Sequence, residues 1–283
     1  VKSTRGLILP IAAMTIPVAL IPRRSFPHGA IAMSCFRKIL VLALPLLFVS
    51  CLGAADPSPE EGLLAKVSKA AGGEANLAKA ANVSLKGKGT FIEEDGNIPY
   101  TLEWVQAGLD RERSVSVVGE GDDKKRIVSV VTAKGGWIKE NDDETRDLTD
   151  EELKNERETL HLGWVTNLAP LKGKEYRLGV ASAIKVNDKE AVGLKVMREG
   201  FADLTLYFDK ESNLLVKTER RCAHPDNGET VLEEAFYENY KEVQGVQYPS
   251  KTSLKYDGKD YSKLEITDIS FPEKLDEKSF EKP

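Results

Sequence analysis

The first 55 residues contain neither aspartate nor glutamate, although the chain carries 45 of them against 40 lysines and arginines in its 283 residues. Lys2, Arg5, Arg23, Arg24, Arg37 and Lys38 are the basic residues of that stretch. Removing these six leaves 34 basic against 45 acidic side chains in residues 56–283, a net charge of −11. So acidic a surface repels phosphate, which excludes nucleic acid and an anionic membrane face as partners.

Cysteine is scarce as well. Of Cys35, Cys51 and Cys222 only the last lies beyond residue 55, so no internal disulfide can form in that part. Roughly 230 residues can bury one core without such staples. Histidine is limited there to His161 and His224, and there is no Gly-x-Ser-x-Gly elbow, no His-Glu-x-x-His and no phosphate-binding loop. Lys86-Gly87-Lys88-Gly89 lacks the loop-to-helix setting of a phosphate cradle and reads as a strand with small residues. Cys222-Ala223-His224 with Asp226 offers metal-ligand chemistry, yet a zinc site needs three or four protein ligands and no second cluster supplies them. It reads as a hairpin end with an idle thiol. The carboxylate pairs Asp142-Asp143 and Glu233-Glu234 read as a solvated face. The expectation is a non-enzymatic protein without metal or cofactor.

What is present begins with an address. Arg37 and Lys38 after Met33 form a positive region, Ile39 to Val49 an apolar run too short to span a bilayer, and Gly53-Ala54-Ala55 a small-residue cleavage site. This order marks residues 33–55 as a signal peptide and residues 56–283 as the exported domain. A lipid-modified Cys51 after Ser50 is the alternative, which would anchor the protein. Residues 1–32, with the Leu7 to Ile21 run broken by Pro10 and Pro17, read as an upstream extension or a start called too early.

From Asp56 the chain changes character. Ser58 as N-cap and Pro59 in the first turn start a helix from Glu60 to about Ala71, apolar at Leu63, Leu64, Val67, Ala70 and Ala71, which Gly72-Gly73 stops. Glu74 to Ala81 adds a turn or short helix. From Val83 the apolar period is two, in runs at 83–92, 99–106, 111–118, 126–133, 137–140, 175–181, 184–186, 191–198, 204–208, 214–221, 230–240, 247–256 and 261–269. Turn residues separate many of them, among them Asn187-Asp188, Asp226-Asn227-Gly228 and Asp257-Gly258. Regular spacing predicts a meandering antiparallel sheet long enough to curl. One helix interrupts it, Asp147 to Ala169, with a capping box from Thr149 to Glu152, an acidic first turn and an apolar second half at Leu160, Leu162, Trp164, Val165 and Leu168. That helix is expected to act as a lid, its first turns in water and its second half on the sheet.

Phe91, Tyr100, Leu102, Trp104, Trp137, Leu204, Leu206 and Phe208 recur in alternation, so each strand is expected to turn its large apolar groups to one side. Together with Trp164 they are the candidates to line an apolar cavity between sheet and helices; a filled core accounts for the same pattern.

Leu64-Ala65-Lys66-Val67-Ser68-Lys69-Ala70-Ala71-Gly72-Gly73, Leu206-Tyr207-Phe208-Asp209 followed by Asn213-Leu214-Leu215-Val216-Lys217, Tyr240 to Pro249 (YKEVQGVQYP), and the tail with Leu275, Asp276, Phe280 and Pro283 resemble the LolA-like, lipoprotein-sorting proteins of the bacterial envelope. The resemblance covers most of residues 60–283. It implies a mainly β fold with α, a curled antiparallel half-barrel covered by helices, in a periplasmic protein whose concave face takes lipid or lipoprotein acyl chains. A membrane-bound donor or acceptor protein is a further partner class to be tested. Phe208-Asp209 and the turn at Gly245 would mark fold rather than catalysis. Two functions follow: a binding or carrier protein for acyl chains, or an envelope-stress sensor or protein-interaction domain on the same half-barrel. A deep cavity favours the first, a filled core with an exposed apolar edge the second.

Overall fold

The computed structural model describes residues 57–94 and 96–283; the expectations for the leader, for residues 1–32 and for Cys51 lie outside them. Helix α1 (Pro59–Ala70) starts as the sequence predicts: the Ser58 side chain accepts from the Glu61 backbone N–H, and the Glu61 carboxylate accepts from that of Ser58. Its buried stripe includes Leu64 and Val67. Helix α2 (Glu74–Lys79) follows across Gly72 and Gly73, both at positive φ.

Two meanders follow. The first comprises β1 (Asn82–Phe91), β2 (Ile98–Ala107), β3 (Arg111–Val118), β4 (Lys125–Thr132), β5 (Gly135–Glu140) and the two-residue β6 (Arg146–Asp147). After α3 (Asp150–Thr166) come β7 (Tyr176–Val186), β8 (Lys189–Arg198), β9 (Leu204–Asp209), β10 (Leu215–Ala223), β11 (Thr230–Val243), β12 (Val246–Tyr256) and β13 (Lys259–Ser270). All thirteen form one sheet in the order β6-β5-β4-β3-β2-β1-β13-β12-β11-β10-β9-β8-β7. Every pairing is antiparallel, and the sheet is open between β6 and β7. The predicted meander is therefore two meanders joined through β1 and β13, partners that no turn connects. Gly87 and Gly89 lie within β1 as expected. The runs at 175–181 and 184–186 are one strand, with an irregularity between Ala181 and Ile184.

Register separates the faces. Leu85, Trp104 and Ser114 are aligned across β1, β2 and β3, as are Gly87, Leu102 and Ser116, and all point to the inner face. On the outer face Glu238, Lys251, Glu265 and Lys88 run across β11, β12, β13 and β1 as a charge ladder of alternating sign.

Trp137 corrects the expectation of one apolar side. It pairs with Val130 on the outer face and packs with Val115, Val128 and Phe280 under the C-terminal tail. The tail is clamped there by Arg111, which forks onto Glu277 and stacks over the Phe280 ring at 4.8 Å. The tail supplies apolar cover, so this stretch of sheet is buried on both faces.

Helix α3 is shorter than expected at both ends, because Asp147 joins β6 and Ala169 opens a 3-10 turn (Ala169–Lys172). Its capping box forms as predicted, with Arg146 forked onto Glu152 outside it. Leu160, Leu162, Val165 and Leu168 are buried, but Trp164 is half-buried at the rim, its ring against the Gly108 turn. The first half is not wholly in water either, since Asn155 and Thr159 are buried.

The corner between α1 and α2 is fixed to the β11–β12 turn. Gln247 donates its backbone N–H to Ala71 O at 2.9 Å, and Asn76 Nδ2 donates to Gly245 O at 3.2 Å. Gly72 sits at φ 127°, where a Cβ would meet Gly245 O at 2.2 Å. Gly72→Ala is expected to lower stability by roughly 1–3 kcal/mol, the usual cost of a strained backbone site. A melting curve unchanged from wild type would show that the corner is not locked.

Candidate functional site

The inner face, α1, α2 and the second half of α3 enclose a cavity of about 140 Å³. Val67 comes from α1 and Ala71 from the cap that ends it, Leu77 and Ala80 from the α2 segment, and Leu162, Gly163 and Thr166 from α3. The sheet supplies Val83, Leu85, Leu102, Trp104, Phe208, Tyr237, Tyr248, Leu264 and Ile266. Gly163 lets α3 approach β2 closely, for a Cβ there would stand 2.5 Å from Gln106 Oε1.

The candidates named from sequence divide among several places. Leu102, Trp104 and Phe208 line the cavity. Leu204 and Leu206 are fully buried in the main core beside it. Phe91 and Tyr100 stack on each other, ring centroids 4.5 Å apart, in a separate cluster with Val118. Trp137 faces outward and Trp164 lies at the rim. Cavity residues not picked out include Tyr237, Tyr248, Leu264 and Ile266. Their period-two spacing was visible in sequence, whereas their meeting with β1 and β2 depends on the β1–β13 pairing.

A larger concavity, about 770 Å³, opens on the outer face between Lys88, Glu120, Lys124, Glu238, Lys251 and Lys263. Its walls carry charges of both signs and face solvent, so an alkyl chain placed there would stay in water. Size alone does not make it the better apolar site.

Polar contacts hold α3 to both halves of the sheet. Toward the first meander, Gln106 Nε2 donates to Leu160 O at 2.9 Å and Arg157 Nη2 to Ala133 O at 2.9 Å. Asn167 Nδ2 donates to Ala80 O at 2.8 Å, tying the end of α3 to the α2 segment. Toward the second meander, Arg220 Nη2 donates to Thr159 Oγ1 at 3.4 Å and Ala202 N–H to the Glu158 carboxylate at 3.1 Å.

Arg220 is itself gripped by Glu233, Nε to Oε1 at 2.7 Å and Nη2 to Oε2 at 3.0 Å, with both side chains 3% exposed. Burial works against the charge on Arg220, and the Glu233 carboxylate outweighs it, so the net direction of the Arg220 pKa is upward. Glu233 therefore departs from the solvated-face expectation: register places it opposite Arg220 on the inner face. Asp142 and Asp143 are exposed as expected. Cys222 Sγ lies 3.6 Å from Glu233 Oε2, and burial, with the Glu233 charge next, pushes the thiol up to about 12, so it stays protonated and unreactive. Among the described residues no group of three His, Cys, Asp or Glu could hold a metal ion.

His161, also on α3, is 1% exposed and stacks on Phe201 at 4.1 Å and Tyr176 at 5.8 Å. Burial first, then Arg198 and Arg220, lowers its pKa to about 4, so it is neutral at ordinary pH.

The fold and site define a class: an open antiparallel half-barrel whose inner face is closed by helices over an apolar space. No family model matches the sequence, and no curated protein does. Among solved structures, the chain is similar to a DUF1329 family protein from Desulfovibrio piger, with a TM-score of 0.52 and 9% identity over 80% of this chain and 98% of that one. A LolA superfamily protein from Nitrosomonas europaea matches with a TM-score of 0.49 and 13% identity, covering 77% of this chain and 96% of its own. A putative outer membrane lipoprotein-sorting protein domain from Vibrio parahaemolyticus matches at 0.49 and 10%, covering 78% and 97%. At 9% identity the likeness to the Desulfovibrio piger protein is one of fold alone.

The Arg220–Glu233 pair yields a prediction about stability. Glu233→Gln, which leaves the arginine charge buried without its counter-ion, is expected to cost roughly 3–5 kcal/mol in urea denaturation, and the double change Arg220→Met with Glu233→Leu far less. A single variant as stable as wild type would mean that the pair is not buried in solution.

Proposed function

We propose that residues 56–283 act as an exported, periplasmic, non-enzymatic binding protein for lipid or lipoprotein acyl chains, with α3 as the movable cover of the binding site. The observation that carries this reading is the apolar cavity between the inner face and the three helices, lined by Leu102, Trp104, Leu162, Phe208 and Ile266. The sequence motifs shared with lipoprotein-sorting proteins support the same class of ligand.

Volume decides how binding must work. Ligand pockets usually measure ~300–1,000 Å³, and this cavity holds about 140 Å³. It is a closed state, and a chain enters only as the cover moves out. The buried aliphatic side chains Leu160, Leu162 and Val165 of α3 contribute roughly 1.5–3 kcal/mol each, some 4.5–9 kcal/mol together. About ten methylenes of an acyl chain regain roughly 8 kcal/mol on burial. The ligand can therefore replace much of what α3 gives up, and a small polar molecule cannot.

A cavity-filling variant tests this. Val83→Phe, whose side chain enters the cavity, should weaken binding of palmitate at least tenfold in a titration while the melting temperature holds or rises. Val180→Phe, at an exposed position (56%) on the edge strand β7, should bind as wild type does. Equal binding by all three proteins, or none by wild type, would overturn the proposal.

A further inference from the structure

We propose that the turns at one end of the half-barrel enclose a second binding site, an aromatic and acidic cavity that takes a compact organic cation of the quaternary ammonium type. The cavity measures about 360 Å³, within the ~300–1,000 Å³ usual for ligand pockets. Phe91, His224, Tyr256 and Tyr261 supply its aromatic wall, and Glu93, Glu94 and Asp226 stand at the turns around it. These groups are far apart in sequence. They meet because β1, β10 and β12 all end on this side of the sheet. His224 and Asp226, which by sequence offer metal-ligand chemistry, are here part of an aromatic wall and its rim.

Two features of the backbone bring the rings together. Asp257 and Gly258, at φ 47° and 78°, make the two-residue turn that returns β12 into β13. Beyond it the register changes: Leu254 faces Ser262 but Lys255 faces Asp260, so the pairing passes over Tyr261. Such a bulge re-aims the side chain of its extra residue. Ser262 lies opposite Phe91 on the inner face, and regular alternation would send Tyr261 outward. Instead its ring meets Tyr256 at 4.9 Å, Phe91 at 5.8 Å and His224 at 5.9 Å between centroids. The His224 ring is fixed in turn, its Nδ1 accepting the backbone N–H of Asp226 at 3.2 Å.

The composition of the wall selects the ligand. Aromatic faces attract positive charge without replacing a hydration shell, which favours a quaternary ammonium over a metal ion that demands oxygen ligands. Glu93, Glu94, Asp226 and Asp260 along the cavity are acidic and Lys259 is basic, an excess that persists after Lys255 engages Asp260 at 3.0 Å. That charge reaches the rings: burial first, then Asp226 and Glu93, raise the Tyr261 pKa above the ordinary phenol range. The field that keeps this hydroxyl protonated is the field a bound cation would meet. Phe91 and Tyr100 stack in the cluster that separates this space from the acyl cavity, with Leu102 and Leu264 of that cavity packed against it. The cation site therefore does not depend on the reading of α3 as a cover.

Calorimetric titration of the full chain with choline tests the site, beside the neutral alcohol in which carbon replaces the choline nitrogen. Choline should bind about tenfold more tightly than this isostere. Tyr261→Leu should weaken choline binding roughly fivefold or more. Asp226→Asn, at an exposed hairpin position, should weaken it less and reduce its dependence on salt. Should Tyr261→Leu fail to fold, Asp226→Asn and the isostere decide, since neither alters the core. Equal binding of choline and isostere would make the cavity merely apolar, and no binding of choline by wild type would remove the site; either result overturns the proposal. Flotation with phosphatidylcholine vesicles then identifies the source of the cation. Flotation of wild type that either variant reduces places it on a lipid head, and choline binding with flotation absent or unaffected by the variants makes it a free solute.

Discussion

The pairing of β1 with β13 is the interaction on which the rest of the structure depends. It joins two meanders into one sheet and, in doing so, sends β6 and β7 to the two outer edges. The chain must pass directly from one of these edges to the other, because β6 and β7 are consecutive in sequence. A sheet that curls brings its edges toward each other around the inner face, and the short way across is over the open side. Helix α3 is that crossing, and topology therefore sets it over the mouth of the half-barrel before any side chain is considered. Its apolar second half then finds the inner face, and its acidic first turn remains outside.

Once placed there, α3 is held by contacts of two kinds with different consequences. Aliphatic burial of Leu160, Leu162 and Val165 is large but non-directional, the kind of contact an alkyl chain can reproduce. The polar contacts are directional and reach both halves of the sheet, through Gln106 and Arg157 on one side and Arg220 and Ala202 on the other. They hold the helix in one position. A cover held in both ways suits the proposed reversible binding of acyl chains.

Local signals in the sequence were strong wherever the physics is local. Thr149 with Glu152 forms the capping box that its spacing predicts, Ser58 caps α1 as predicted, and Asp209 folds the turn after β9 by accepting from the N–H groups of Glu211 and Ser212. Period-two runs located the strands, including the two that carry Leu102, Trp104 and Phe208. What remained hidden was long-range. The two-residue β6 has no period to read, and the β1–β13 partnership leaves no trace in turn chemistry. The site depends on these. Trp137 alternates as Trp104 does, but the C-terminal tail covers the other face and takes it there. Glu233 looks like one half of a solvated acidic pair until register sets it opposite Arg220. Trp164 belongs by sequence to the apolar end of α3, while its helical phase turns it to the rim.

Where an acyl chain lies decides whether the space beneath α3 is a binding site. A photoreactive fatty acid, activated after equilibration with the protein and traced by peptide mass spectrometry, reports that position without assuming any conformation. It should attach within the inner wall and its cover, at segments carrying Leu102, Trp104, Leu162, Phe208 and Tyr248. Attachment confined to the outer face, around Lys88, Lys251 and Lys263, would contradict the account and make the space beneath α3 an ordinary packing defect.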